Sequence, residues 1–204
     1  ASCMDLALFA EKNQLGPAAF FSGIPGSVGG ALTMNAGSFG HETWDFVESL
    51  EVIDEAGVIH HLDPTDFTFS YRTVKFPFSL CFISCLMQFP GPEITTKSEL
   101  KSMRDQRFKT QPLTEDTCGS VFKNPERKHA GDLIERAGLK GYKFGGCSIS
   151  TKHANFIVNE GDATSADIEG LIKHVQHVVK TKFDVDLETE VRIIGEKNRA
   201  NGRE

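Results

Sequence analysis

The apolar positions along the chain change period several times, and each change marks an element. Between Met4 and Leu15 they fall at Leu6, Leu8, Phe9 and Leu15, with Ala7 and Ala10 between, a spacing that predicts a short amphipathic helix. The small-residue stretch Ser22-Gly23-Ile24-Pro25-Gly26-Ser27-Val28-Gly29-Gly30-Ala31 follows. It runs on into Met34-Asn35-Ala36-Gly37-Ser38-Phe39-Gly40, and all of it is expected to be loop and tight turns. Alternation over Val47 to Ile53, a turn at Asp54-Glu55-Ala56-Gly57 and a return over Val58 to Leu62 predict a hairpin. The apolar run from Leu80 to Phe89, broken by Ser84 and Gln88, lies in a strand expected over Phe78 to Phe89 and reads as buried.

Pro90-Gly91-Pro92 interrupts the chain and sets the expected domain boundary, with domains at 1–91 and 92–204. Beyond it a charged helix is predicted over Lys97 to Phe108, and a second over Ala130 to Ala137 closed by Gly138. The clearest helix is Ser165 to Lys182. Thr164 caps it with Asp167 as the box partner, and Ile168, Leu171, Ile172, Val175, Val178 and Val179 form its apolar stripe. Asn155 to Asn159 and Val185 to Ile194 read as strands on either side of that helix. The fold class is therefore α+β, two units with mixed strands.

Composition adds limits. With 39% hydrophobic and 25% charged residues, the chain can bury a sizeable core. A net charge of −6 and a pI near 5.7, without a basic patch, argue against nucleic acid and anionic membrane as partners. A pocket with a few local cations could still take an anionic small molecule. No apolar run reaches the roughly 18 residues of a membrane span, and the first residues lack the basic start of a signal peptide. The cysteines at 3, 81, 85, 118 and 147 are odd in number and show no CxxC spacing. Reduced thiols in a cytoplasmic protein are expected, with neither a disulfide framework nor a metal site.

Four segments could carry chemistry. In the glycine-rich stretch, missing side chains at Gly23, Gly26, Gly29 and Gly30 would let backbone approach a ligand, and free N–H groups could cradle a pyrophosphate. A purely structural turn explains the same residues. In Phe69-Ser70-Tyr71-Arg72 the guanidinium could clamp a carboxylate or phosphate, or simply lie exposed on a loop. In Gly119-Ser120-Val121-Phe122-Lys123-Asn124-Pro125 the hydroxyl could serve as a proton donor, while Lys123 and Asn124 could bind a phosphate and a polar head group. The alternative there is a proline-terminated turn. In Leu187-Glu188-Thr189-Glu190-Val191-Arg192 alternation places Glu188, Glu190 and Arg192 on one face, which by default is solvated. Among the histidines, His174 and His177 share a helix face without a third ligand, whereas His153 lies in the small-polar run 148–155. Trp44 and the phenylalanines are expected in the core.

Taken in order, these segments, with Ala130-Gly131-Asp132-Leu133-Ile134-Glu135-Arg136-Ala137-Gly138-Leu139-Lys140-Gly141 and His153-Ala154-Asn155-Phe156-Ile157-Val158-Asn159, resemble the UDP-N-acetylenolpyruvoylglucosamine reductase family over nearly the whole chain. Tyr71-Arg72 leads directly into the next strand, which resembles the shorter subgroup. The resemblance implies the second lobe of a vanillyl-alcohol-oxidase-type FAD-binding module, followed by an α+β substrate-binding domain whose last strand and tail could pack back on the FAD module. It also implies a further flavin-binding lobe before Ala1, without which FAD would be held weakly.

As implied roles, Gly23, Ile24, Pro25, Gly26, Ser27, Gly29, Gly30, Ala31, Asn35, Ala36 and Gly37 line FAD, and NADPH is the hydride donor. Arg72 stabilises charge developing on the substrate's carboxylate side, Glu190 does so in protonated form, and Ser120 delivers the proton. Tyr71, Lys123, Asn124, Lys140 and His153 bind the UDP-sugar. The protein would be a cytoplasmic monomer of peptidoglycan precursor synthesis. A UDP-sugar-binding relative without catalysis, or a fragment inactive alone, is the alternative. The family's usual proline before the glutamate is Thr189 here, which should alter only strand stiffness.

Overall fold

The computed structural model describes residues 1–195. The chain divides into two compact units, Ala1–Lys109 and Thr110–Glu204.

In the first unit, helix α1 (Cys3–Lys12) starts at a reciprocal cap between Ser2 and Asp5. It buries its small residues Cys3, Ala7 and Ala10, while Leu8 and Phe9 are exposed. The expected helix is present, but the close approach of Phe20 and Phe21 to α1 selects its alanine face rather than its large apolar residues. The glycine-rich stretch is not all loop, because Val28–Met34 forms helix α2. The Ser27 hydroxyl accepts the Gly30 N–H at its start, and Asn35, in the left-handed region at φ 45°, ends it. Burial of Ala31 and Leu32 outweighs the low helix propensity of Gly29 and Gly30.

Short strands β1 (Gly37–Ser38) and β2 (His41–Glu42) pair next, followed by β3 (Val47–Asp54) and β4 (Ile59–Leu62), the expected hairpin. A small pair, β5 (Thr68–Ser70) and β6 (Thr73–Lys75), precedes β7 (Leu80–Met87), which pairs antiparallel with β3 to give the order β4-β3-β7. Leu50, Val52, Phe82 and Cys85 share the core face with Trp44. The expectation of a buried β7 does not hold: Ile83 is 51% and Leu86 55% exposed. Only one face of this three-stranded sheet meets the core, so the apolar run is half-buried at roughly alternate positions, out of step at Ser84. Trp44 is buried as expected, donating its indole N–H to the Leu32 carbonyl and resting against Phe67 and Phe69.

Helix α3 (Lys97–Thr110) belongs with this unit, because Leu100 and Met103 pack into the same core as Phe20 and Phe21. The division falls at the end of α3, between Lys109 and Thr110, rather than at Pro90-Gly91-Pro92.

The second unit is built on α5 (Ser165–Phe183), whose Thr164–Asp167 capping box and buried Leu171, Ile172, Val175 and Val179 follow the sequence reading. It packs with α4 (Ala130–Arg136) and an antiparallel meander of β8 (Lys143–Phe144), β9 (Cys147–Ile149) and β10 (Ile157–Asn159) around one core. Gly138 follows α4 at φ 81°, the left-handed closure that glycine adopts without penalty. The expected strand over Val185 to Ile194 is instead an irregular segment whose one β-bridge, among the described residues, pairs Thr189 with Phe122. Leu187 anchors it in the core. Residues 196–204, the tail of the expected 92–204 domain, lie outside the described residues.

The β8–β9 turn sits tightly against the chain leading into α5. A β-carbon on Gly146 would come within 2.6 Å of the Ala163 nitrogen and 2.7 Å of its Cα. Backbone cannot yield as a side chain can, so Gly146→Ala should cost about 1–3 kcal/mol. A fall in melting temperature of roughly 2–4 °C per kcal/mol is expected for a protein of this size, read by circular dichroism. An unchanged melting temperature would contradict the packing.

Candidate functional site

In the first unit the candidate side chains gather where α2 ends. The left-handed turn at Asn35 leaves its side chain inward and buried, with Oδ1 accepting the Trp44 N–H at 3.2 Å. Its Nδ2 donates to Glu42 Oε2 at 2.8 Å and to the Ser70 carbonyl at 3.1 Å. Asn35 thus ties the end of α2 to the β5–β6 turn, which carries Tyr71 and Arg72.

Arg72 itself has φ 52°, uncommon for a non-glycine residue. One guanidinium nitrogen donates to the Asn35 carbonyl at 3.1 Å and lies 3.5 Å from Glu42 Oε1, and the other donates to the Gly37 carbonyl. The side chain is only 16% exposed, and its guanidinium also lies over the Tyr71 ring at 4.9 Å. The exposed-arginine alternative is excluded by this geometry: the fork is oriented by two carbonyls and one carboxylate. Glu42 carried no signal in the sequence, since nothing near it announced a partner at position 72.

The preceding stretch bears on a flavin. Gly26 would meet nothing within 4 Å if it carried a β-carbon, and Gly29 would meet only the Ser27 hydroxyl at 4.0 Å. Neither has positive φ, so neither glycine is demanded by the chain's own packing or backbone. Open backbone of this kind suits a large planar or pyrophosphate-bearing group lying close against it. The Gly30 N–H is already satisfied by Ser27. Gly23, by contrast, is buried, with Arg107 of α3 against it.

In the second unit, the loop 119–124 is bracketed by two distant segments. On one side the Val121 N–H donates to the Asn155 carbonyl at 2.9 Å. The Asn155 side chain accepts the Phe122 N–H at 3.0 Å and donates to the Phe122 carbonyl at 2.8 Å. On the other side Lys123 N–H donates to the Glu188 carbonyl at 2.9 Å, and Glu190 N–H to the Val121 carbonyl at 2.8 Å. Ser120 and Glu190 are therefore held on adjoining backbone, each a residue away from Val121 or bonded to it.

The bridge does not use the Thr189 N–H, since its bonds run to the Glu188 carbonyl and from the Glu190 nitrogen. A proline at 189 would cost it no hydrogen bond. Glu190 also lies near Cys118, whose thiol is pushed above its ordinary value chiefly by desolvation and further by that carboxylate.

The other candidates are placed unequally. Lys123 Nζ pairs with Glu188 Oε1 at 2.6 Å beside the loop. Asn124 Oδ1 accepts the Ala130 N–H at 3.0 Å, giving α4 its start in place of a cap by His129. His153 Nδ1 accepts the Asn155 N–H at 3.2 Å, its ring meets Phe156, and Gly131 of α4 leaves it room. Lys140 is apart, pairing with Glu135 at 3.0 Å. His174 stacks on Tyr142 at 4.6 Å. Among the described residues, no three His, Cys, Asp or Glu side chains gather as metal ligands would.

Comparison with known proteins gives this arrangement a context. The family described as "FAD binding domain" matches residues 3–63, and "UDP-N-acetylenolpyruvoylglucosamine reductase, C-terminal domain" matches residues 111–194. The fold is thus an α+β chain joining an FAD-binding domain to that C-terminal domain. The UDP-N-acetylenolpyruvoylglucosamine reductase of Alkalilimnicola ehrlichii is 45% identical over 196 residues, 96% of this chain and 66% of the relative. That of Nitrosomonas eutropha is 44% identical over 95% of this chain and 61% of the relative. The crystal structure of the Thermus caldophilus UDP-N-acetylenolpyruvylglucosamine reductase aligns with TM-score 0.78 at 32% identity, covering 93% of this chain and 68% of that one. The chain belongs to the UDP-N-acetylenolpyruvoylglucosamine reductase family. It spans somewhat under two thirds of the length of these curated relatives.

Proposed function

We propose that this chain takes part in the NADPH-dependent, FAD-mediated reduction of the enolpyruvyl group of UDP-N-acetylglucosamine enolpyruvate to UDP-N-acetylmuramate, in peptidoglycan precursor synthesis. The observation that carries the reading is the bracketed loop, which sets a hydroxyl and a carboxyl-bearing residue on adjoining backbone.

When bound, FAD supplies the hydride carrier between NADPH and the enolpyruvyl carbon. The open backbone at Gly26 and Gly29, with Ile24, Pro25, Ser27, Gly30 and Ala31 around them, is where the chain would receive it, and Asn35, Ala36 and Gly37 would complete that wall, with Gly23, buried against Arg107, behind it. Arg72, already aimed by the Asn35 and Gly37 carbonyls, offers positive charge to the substrate carboxylate as negative charge builds there. A donor oriented before the reaction spends nothing on reorganisation. Ser120 gives its proton to the carbon next to the one that receives the hydride. Glu190, in its protonated form, adds a second hydrogen-bond donor to the developing enolate. Tyr71, Lys123, Asn124, Lys140 and His153 are assigned to the UDP-sugar. The same reading makes the protein a cytoplasmic monomer that acts on a small molecule.

Purified protein supplied with FAD, NADPH and the enolpyruvyl sugar nucleotide is expected to oxidise NADPH in proportion to the sugar nucleotide added. Flavin-loaded protein that oxidises no NADPH when that substrate is present would refute the reading.

A further inference from the structure

We propose that Asn155 is a positioning residue for Ser120, an inference that rests on the function just proposed. Asn155 is 4% exposed and lies in the run Ala154-Asn155-Phe156-Ile157-Val158, whose other members are all buried and apolar. A carboxamide in such a place is costly unless its donor and acceptor are both used. Both are used on a single residue: Oδ1 takes the Phe122 N–H and Nδ2 gives to the Phe122 carbonyl, at 3.0 and 2.8 Å. The side chain thus does what a neighbouring strand would do, pairing both polar groups of one peptide residue. Its own backbone carbonyl adds the Val121 N–H at 2.9 Å. Three hydrogen bonds from one residue hold the two positions directly after Ser120. The loop's other edge is held by 188–190, through Lys123 and Val121, so the chain directly after Ser120 is held from both edges.

Leucine, isosteric with asparagine, would suit the surrounding core better. An amide here is explained by the loop it holds, not by the packing it joins.

Two readouts test this. The first needs no cofactor. By amide hydrogen exchange, Asn155→Asp, which puts a second acceptor against the Phe122 carbonyl, should greatly accelerate exchange at Val121 and Phe122 and leave Leu171 and Val175 of α5 protected. The second uses the FAD-loaded protein in single turnovers. Asn155→Asp should slow reoxidation of the reduced flavin by the enolpyruvyl sugar nucleotide by about 100-fold, the effect of misplacing a reacting group by an ångström. Reduction by NADPH should be unchanged and the sugar-nucleotide KM little altered. In a Ser120→Ala background the Asn155→Asp change should add almost nothing, because the residue acts through Ser120.

If Asn155→Asp does not fold, Asn155→Gln keeps an amide one methylene too long in the same slot and carries the same expectations. Wild-type rates and wild-type exchange in either folded variant would overturn the assignment, as would equal loss in both half-reactions or additivity with Ser120→Ala. Should wild-type flavin fail to be reoxidised by this substrate, the functional reading falls and the proposal with it. If only the variants disappoint, the reading stands and Asn155 alone is released.

Discussion

Replacing Ser120 by alanine is expected to slow reoxidation of the reduced flavin by the enolpyruvyl sugar nucleotide by about 10²–10⁴-fold, the usual contribution of a positioned general acid. Flavin reduction by NADPH should stay at the wild-type rate, because no proton from Ser120 is needed there. Ser120 precedes Val121 and Phe122, both buried, Val121 hydrogen-bonded to Asn155 and Glu190 and Phe122 twice to the Asn155 side chain, so removing one hydroxyl should leave the backbone path unchanged. A serine hydroxyl is a poor acid in water and becomes useful only when its neighbours polarise it. Glu190, whose N–H donates to the Val121 carbonyl, is the partner assigned to it. The split between half-reactions is the decisive measurement. If flavin reduction collapses as well, Ser120 is not the proton donor. If neither step changes, the loop has another purpose.

The second large effect is expected at Arg72. Arg72→Lys should lower the same reoxidation rate by about 10²–10³-fold, comparable to losing one preorganised donor from a charge-stabilising site. Charge is conserved in this change, so a response of that size reports geometry. The guanidinium reaches the Asn35 and Gly37 carbonyls with different nitrogens and lies beside Glu42. An ammonium is one compact head and cannot span these acceptors while presenting another donor outward. The left-handed backbone at 72 is equally unfavourable for lysine, so the comparison isolates the head group. Stability should fall by about 1 kcal/mol, the net value of a hydrogen bond. A lysine variant with wild-type kinetics would leave only a structural part for this arginine.

Much of the fold is written locally. The α5 stripe and its Thr164–Asp167 box, and the β3–β4 hairpin with its Asp54–Gly57 turn, depend on neighbours within a few residues and could be read directly. Helix α2 could not, because Gly29 and Gly30 argue for a loop and only burial of Ala31 and Leu32 tips the balance. The apolar run of β7 gave no hint that its sheet is covered on one side. Val185 to Ile194 carries strand composition, yet among the described residues it forms a single β-bridge, to Phe122.

The site divides in the same way. Arg72, Ser120 and Glu190 stand in motifs that the sequence displays. Glu42 and Asn155 act through partners that are remote along the chain. A polar residue inside the apolar run 154–158 was the one available signal for Asn155.

The Ser120 loop takes its clamps from Asn155, 33 residues beyond Phe122, and from Glu188, 65 residues beyond Lys123. Contacts closed over such spans come late, because chain entropy must be surrendered before they repay it. The Ser120 loop is therefore expected to take its final shape only once α4, the β8–β10 meander and α5 have brought these clamps together. A nascent or partly denatured chain that has formed α4 and α5 but not these clamps would still lack the arrangement proposed for Ser120.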